Sequence, residues 1–343
     1  MAMANRMTQA QSERPAPSFS RHGGRLDAAM HAFPHAPQPW IDLSTGINPV
    51  AWSPREPLTA DLGPLPQASA LAELEAAAAR YVGADPARVA AVPGSEIALR
   101  LLPALGLSRP IVSIRPAYGT HTEVAAEQVA VAALDGVAGN AATILLANPN
   151  NPDGRVIDPA RLRRIAVAQR EAGGWLVVDE AFADAAPADS ILGDPDDDLP
   201  VIVLRSFGKF FGLAGLRLGF VVAPPGVLRR LRALLGDWPV TAQAIAWGTA
   251  AYGDDRWIAA TRQSLAERAT RLDAVLGRHG LHAVGDSPLF RLVEHRDAAA
   301  IFERLARAGI LTRPFRDRPD WLRLGLPDGE AAFDRLDRAL GRG

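Results

Sequence analysis

The chain has 343 residues, is 48% hydrophobic, and carries 37 Lys+Arg against 38 Asp+Glu for a net charge of −1. That length accommodates one large and one smaller domain, and the balance leaves no basic surplus to attract nucleic acid. Cysteine is absent, which excludes disulfides, thiolate metal sites and cysteine nucleophiles; no apolar run is long enough to span a bilayer, so a soluble, cytoplasmic protein is expected.

Residues 1–20 are polar and mixed, with Pro15, Pro17 and several serines, and have neither an apolar core nor a cleavage pattern. They read as a disordered tail, not a signal peptide. Residues 21–50 read as an N-terminal arm. In it, the two glycines of His22-Gly23-Gly24 read first as a flexible entry to a helix around Leu26–Ala32, and alternatively as a place where the backbone lies close to a neighbour. His31 and His35 stand four apart, but Pro34 breaks the helix that would converge them on a metal, and no metal site is expected. Ile41–Pro49, which contains Gly46, reads as a short strand running into a turn.

Residues 51–240 read as the large domain. Ala68–Val82 is alanine-rich with Leu71 and Leu74, as in a helix. Val92-Pro93-Gly94-Ser95-Glu96 enters a second helix, expected to run through Leu107. Gly94 and Ser95 at its start either leave N–H groups free for an anion or form an ordinary N-cap. Ile111–Ile114, Thr143–Ala147, Trp175–Asp179, Val201–Leu204 and Gly219–Ala223 are apolar runs of strand length, with helical segments such as Pro159–Glu171 between some of them. That alternation predicts a largely parallel sheet buried on both faces. Ligands of such sheets bind beyond the strands' carboxyl ends, where Tyr118, Asn151, Asp179 and Lys209 fall. Asp194–Asp198 reads as a solvated acidic loop.

Residues 241–343 read as a smaller α+β domain. Helices are expected over Thr241–Ala251, Asp255–His279, Ala298–Ala308 and Glu330–Leu340, and strands over Leu289–Val293, Ile310–Thr312 and Trp321–Leu326. Alternation places Arg323 on the strand face opposite Leu322 and Leu324, a face that solvent could occupy.

Lys209 is the only lysine; every other residue in the Lys+Arg total of 37 is arginine. Lysine, unlike arginine, can lose its proton when desolvated and attack a carbonyl. Ser206 lies three residues before it and Arg217 eight after it, donors suited to a phosphate beside the amine. An amine that meets an aldehyde next to a phosphate describes pyridoxal phosphate. Ser206-x-x-Lys209 also matches a penicillin-binding motif, but that reading requires a Lys-Thr-Gly, which a chain with one lysine cannot supply.

Together these residues resemble the fold-type I pyridoxal-phosphate enzymes, the aspartate aminotransferase superfamily, over nearly the whole ordered chain. Asn148-Pro149-Asn150-Asn151-Pro152-Asp153-Gly154 is similar to the loop whose last asparagine bonds the cofactor's phenolic oxygen, with Asp153 in place of the usual threonine. Val177-Val178-Asp179-Glu180-Ala181 is similar to the strand whose aspartate pairs with the pyridine nitrogen. The resemblance implies an α/β fold: a large domain with a mainly parallel sheet of the seven-stranded type flanked by helices, plus a smaller α+β domain. It implies a homodimer, a stacking role for Tyr118, a phosphate site at Gly94, Ser95, Glu96, Ser206 and Arg217, and a carboxylate site at Arg323.

Within the superfamily the chain looks closest to the branch holding histidinol-phosphate aminotransferase and the threonine-phosphate decarboxylase of cobalamin biosynthesis. His22-Gly23-Gly24 and the Asp42–Pro49 stretch are similar to the decarboxylase arm, so His22 and Gly46 become substrate candidates beside Asn151, Arg155 and Arg323. Phe182 stands where aminotransferases carry a tyrosine, and Leu65 where many relatives carry one that reaches the partner subunit's cofactor. The expected activity is decarboxylation of a phosphorylated amino acid, L-threonine O-3-phosphate. Transamination of the histidinol-phosphate type is the alternative. A cofactor-binding regulator is the non-enzyme reading, opposed by the intact Lys209, Asp179 and Asn151 and by the twenty polar residues of the expected tail, which are too few to form the DNA-binding domain that such regulators usually add.

Overall fold

The computed structural model describes residue 19 and residues 22–193 and 198–341. The tail expected over residues 1–20 lies outside the described residues except for Phe19, which is buried with its ring centroid 5.6 Å from that of Phe302. The acidic loop lies outside them as well, up to the exposed Asp198. The chain divides into two compact units, residues 50–263 and residues 1–49 with 264–343. No described helix is long and apolar enough to cross a membrane.

A two-residue strand, β1 (Ile41–Asp42), comes first in the chain. The larger unit contributes β2 (Val89–Val92), β3 (Ile111–Arg115), β4 (Glu127–Ala130), β5 (Thr143–Ala147), β6 (Trp175–Asp179), β7 (Val201–Ser206) and β8 (Gly219–Val222). They form one seven-stranded sheet in the order β2-β8-β7-β6-β5-β3-β4. β7, β6, β5, β3 and β4 pair in parallel, and β8 runs antiparallel to both of its neighbours. The mainly parallel sheet read from the apolar runs is therefore the one observed.

Burial on both faces explains the strand sequences. Successive side chains point to opposite faces, yet Leu176, Val177 and Val178 are all 0% exposed. On one side Leu145, Val177, Ile202 and Val221 join Leu99, Leu102, Leu228 and Leu231 in a single cluster. Each such side chain contributes about 1.5–3 kcal/mol by leaving water. The flanking helix Pro159–Ala172 starts where the Asp158 carboxylate accepts from the N–H groups of Ala160 and Arg161, and it stops at Gly173, whose φ is 72°.

Three expectations need correction. The helix entered at Ser95 ends at Leu101 and passes into a 3-10 turn over Leu102–Ala104, because Pro103 cannot donate to a continuing helix. β2 and β4 were not anticipated: β2 is four residues of Val and Ala, and β4 is a mostly exposed edge strand beginning Glu-Gln. The boundary expected at residue 240 falls after residue 263. Helix Ala242–Tyr252 packs on helix Ala68–Val82, with the Tyr252 and Tyr81 rings 4.7 Å apart and Gly248 close against Leu74.

In the smaller unit, β9 (Ala283–Val284), β10 (Phe290–Glu294), β12 (Arg313–Pro314) and β13 (Trp321–Gly325) form an antiparallel sheet in the order β12-β13-β10-β9, and β11 (Ile310–Leu311) pairs in parallel with β1. The arm expected as a separate segment belongs to this unit. Besides the β1–β11 pairing, Arg335 donates to the carbonyls of Pro37, Pro39 and Ala308 at 2.7, 2.6 and 2.8 Å.

The larger sheet has a tight point at Gly219, which pairs with Val92 on β2 and with Ser206 on β7. A Cβ there would lie 2.6 Å from the Ser95 nitrogen and 2.9 Å from the Arg205 oxygen, both backbone atoms. Gly219→Ala is expected to destabilise the protein by about 1–3 kcal/mol, seen as a lower urea midpoint at unchanged slope. A parental midpoint would contradict the close approach.

Candidate active site

The parallel strands all end at one edge of the large sheet, and β8, being antiparallel, begins there. Tyr118, Asn151, Asp179 and Lys209 follow or close the carboxyl ends of β3, β5, β6 and β7, while Gly94 and Ser95 follow β2 and Arg217 precedes β8. Sheet topology thus gathers residues that are spread over more than a hundred positions of sequence.

Lys209 lies on the one-turn helix Phe207–Phe210. Aromatic rings pack around that turn. Phe207 stacks on Phe211 at 4.5 Å, Phe211 stacks on Trp257 at 5.6 Å, and Tyr252 meets both phenylalanines edge-on at 5.3 Å. Gly208 allows the backbone of Ala214 to approach, since a Cβ would lie 2.6 Å from the Ala214 Cα. Lys209 is only half-buried, and its Nζ lies 5.9 Å from the centroid of the buried Phe182 ring, within reach of a cation–π contact when protonated.

Asp179 ends β6 at 6% exposure. Its Oδ1 accepts from the Ala181 N–H at 3.2 Å, and its Oδ2 meets the Nε2 of His121 at 3.0 Å. An ionised Asp179 requires the proton on that Nε2. His121 is completely buried, and the Tyr118 ring meets it edge-on at 5.9 Å. His121 was not anticipated. Its one sequence signal is weak: it falls one helical turn after Tyr118, on a helix that opens beyond a strand end. The Tyr118 hydroxyl is pushed up to about 12, chiefly by burial and next by the charge of Glu96, so near neutral pH it is an uncharged phenol.

A cradle lies beside these groups. Gly94 has φ 89°, and a Cβ there would come 2.5 Å from the Arg217 Nη2. Arg217 is itself left-handed (φ 54°, ψ 53°) and is the one non-glycine residue with positive φ among the described residues. Such a conformation costs about 1–2 kcal/mol and marks a backbone held for a purpose. The Glu96 carboxylate accepts from Thr120 Oγ at 2.8 Å and Arg100 Nε at 2.9 Å, so what Glu96 offers an anion is its backbone N–H. Asn151 is buried in a loop pinned on both sides. The Asn148 side chain binds the Ile157 N–H and the Ile157 and Asp189 carbonyls, and Asn150 Nδ2 donates to Pro116 O and Asp153 Oδ1. Arg155 is tied to Asp153 at 3.0 Å.

The remaining anticipated residues are in the smaller unit. Arg323, expected on a strand face that solvent could have occupied, is buried, donates to the Ser44 carbonyl at 2.9 Å and lies 4.9 Å from the Phe290 ring. Arg313, which was not anticipated, is its register partner on β12 and is buried too. Two adjacent buried guanidiniums favour an anion beside them. His22 is half-buried and Gly46 buried. The approach that the paired glycines allow is to Ser44: its Oγ accepts from the Gly24 N–H at 2.7 Å, and a Cβ on Gly23 would run into its carbonyl.

The Lys209 amine, a buried carboxylate backed by an imidazole, and an arginine–glycine cradle fit the aldehyde, ring nitrogen and phosphate of pyridoxal phosphate. Residues 61–336 match the family described as aminotransferase class I and II. The chain is 42% identical over 330 residues to a threonine-phosphate decarboxylase of a Sinorhizobium species, covering 94% of this chain and 97% of that one. It is 39% identical to a threonine-phosphate decarboxylase of Pseudomonas aeruginosa, covering 93% and 96%. The solved histidinol-phosphate aminotransferase of Sinorhizobium meliloti, in complex with pyridoxal-5'-phosphate, superposes with a TM-score of 0.68 at 26% identity, over 79% of this chain and 80% of that one. On the family match and these near full-length relatives, the chain belongs to the class I and II aminotransferase family.

Proposed function

We propose that this chain is a pyridoxal-phosphate-dependent lyase that decarboxylates L-threonine O-3-phosphate to (R)-1-aminopropan-2-yl phosphate, a step of cobalamin biosynthesis, in the cytoplasm. The observation that carries the reading is the near full-length similarity to two threonine-phosphate decarboxylases, on a chain whose Lys209, Asp179 and phosphate cradle share one sheet edge.

When bound, pyridoxal phosphate supplies an electron sink for negative charge at the substrate's α-carbon. The protein's groups do the rest. Lys209 Nζ would hold the cofactor, and its amine, once released, would hold and deliver a proton at the substrate's α-carbon after carbon dioxide has left. Asp179 keeps the ring nitrogen protonated, and His121 fixes the carboxylate's orientation. Tyr118 would stack on the ring. The Ser206 hydroxyl, the Arg217 guanidinium and the N–H groups of Ser95 and Glu96 beyond Gly94 hold the phosphate. Arg323 holds the substrate carboxylate, and the neighbouring Arg313 shares the anionic load. His22, Gly46 and Arg155 are the further substrate contacts, with His22 and Arg155 directed to the substrate phosphate. Phe182 offers no hydroxyl to the cofactor's phenolic oxygen, so Asn151 supplies that hydrogen bond.

The enzyme acts as a homodimer. Leu62, Leu65 and Trp238 are 73, 58 and 56% exposed and line a groove of about 570 Å³ that also reaches Arg217. An apolar patch of this kind, beside a cofactor-binding arginine, is suited to a second copy.

Two outcomes are expected. Given threonine phosphate and no 2-oxo acid, the holoenzyme releases carbon dioxide over many turnovers. An enzyme that stops after one equivalent, resumes with 2-oxoglutarate and then acts on histidinol phosphate is a transaminase, the second reading, and overturns the first. The double variant Leu62→Asp, Trp238→Asp should elute as a monomer and bind the cofactor at least tenfold more weakly. Dimers of unchanged stability would exclude this face from the interface.

A further inference from the structure

Asp153 stands where the family loop usually carries threonine, and the structure gives its carboxylate a defined task. It is 13% exposed and engages on both oxygens. Oδ1 accepts from Asn150 Nδ2 at 2.7 Å and from the Arg155 backbone N–H at 3.2 Å, while Oδ2 accepts from Arg155 Nη1 at 3.0 Å. The backbone closes the same turn: the Asn150 N–H donates to the Arg155 carbonyl and the Gly154 N–H to the Asn150 carbonyl, both at 2.8 Å. Asn150 is 1% exposed, and its Nδ2 also donates to the carbonyl of Pro116, two residues before Tyr118, at 2.9 Å. Asn151 lies inside the turn that this carboxylate closes. A threonine hydroxyl could accept from at most two of these partners, so it could not hold all three, and it carries no charge to counter the guanidinium. Burial opposes the Arg155 charge and lowers its pKa, with Asp153 acting the other way.

We propose that Asp153 is a positioning residue: by clamping Asn150 and Arg155, it fixes the Asn151 amide where it donates to the cofactor's phenolic oxygen. The proposal rests on the cofactor reading above and adds a role that the aspartate's neighbours, not its own contact with the cofactor, carry out. The ionised phenolic oxygen is stabilised by that donated hydrogen bond. Losing it favours the protonated form and raises the pH midpoint of the bound cofactor's visible absorbance change.

The test uses the holoenzyme and its Asp153→Ala, Asp153→Asn and Asn151→Ala variants, each titrated by absorbance, with thermal melts as the control for folding. Asp153→Ala is expected to raise the midpoint by about one pH unit, in the same direction as Asn151→Ala. A double variant combining Asp153→Ala with Asn151→Ala should go no further than Asn151→Ala alone, because one route carries both effects. Asp153→Asn keeps an acceptor for Asn150 and should shift less. The cofactor's dissociation constant, by equilibrium dialysis, should rise in the same order. If Asn151→Ala shifts the midpoint and neither Asp153 variant does, the proposal is overturned while the cofactor reading stands. If Asn151→Ala leaves the midpoint unmoved, the assignment of Asn151 fails, and the proposal with it. A double variant shifted by the sum of the singles overturns the positioning role as well.

Discussion

The buried guanidinium of Arg205 is the interaction on which the larger unit's functional edge depends. It is 3% exposed and bonds Glu180 Oε2 at 2.6 Å and Asp184 Oδ1 at 2.7 Å. Burial alone pushes both carboxyls up, and the arginine between them opposes that shift. Glu180 also accepts from Ser190 Oγ and the Ile191 N–H, and Arg262 reaches the Asp184 carbonyl and the Tyr81 hydroxyl. Replacing such a network wholesale with apolar groups can be neutral, but removing one partner strands the other charges at a cost of about 3–5 kcal/mol. The position of the network gives it its importance. Glu180 follows Asp179 and Arg205 precedes Ser206, so the ion pair joins the ends of β6 and β7 where the acid and the lysine's strand emerge.

From that joint the chemistry follows by topology. Parallel strands deliver their carboxyl ends to one edge, and the antiparallel β8 delivers its amino end to the same edge. Arg217 and Ser206 therefore come together from opposite chain directions. The cradle depends on small, local costs: the left-handed Arg217, the open φ of Gly94 and the missing Cβ of Gly219. Each lets backbone or guanidinium approach closer than a side chain would permit.

Much of this was legible in the sequence, for identifiable reasons. Val201–Leu204 and Trp175–Asp179 are continuous apolar runs, so their strands could be read directly, and the single lysine drew attention to its own position. β4 escaped because an exposed edge strand lacks that run. Arg205 and His121 escaped because their meaning lies in distant partners: His121 is 58 residues from Asp179. Arg313 gained significance only when antiparallel pairing placed it opposite Arg323. The domain boundary was misplaced since helix Ala242–Tyr252 carries its reason for belonging to the larger unit in its packing on Tyr81 and Leu74, not in its composition.

The central claim is that Lys209 is the residue on which this edge converges. Borohydride reduction of the holoenzyme followed by peptide mapping tests it cleanly, because a chain with one lysine offers only the N-terminal amine as a competitor. The account predicts a yellow protein with one reduced pyridoxyl adduct on Lys209, and a Lys209→Arg variant that keeps its fold but carries no adduct. An adduct found only at the N-terminus, or none at all in a protein that still turns over its substrate, would contradict it.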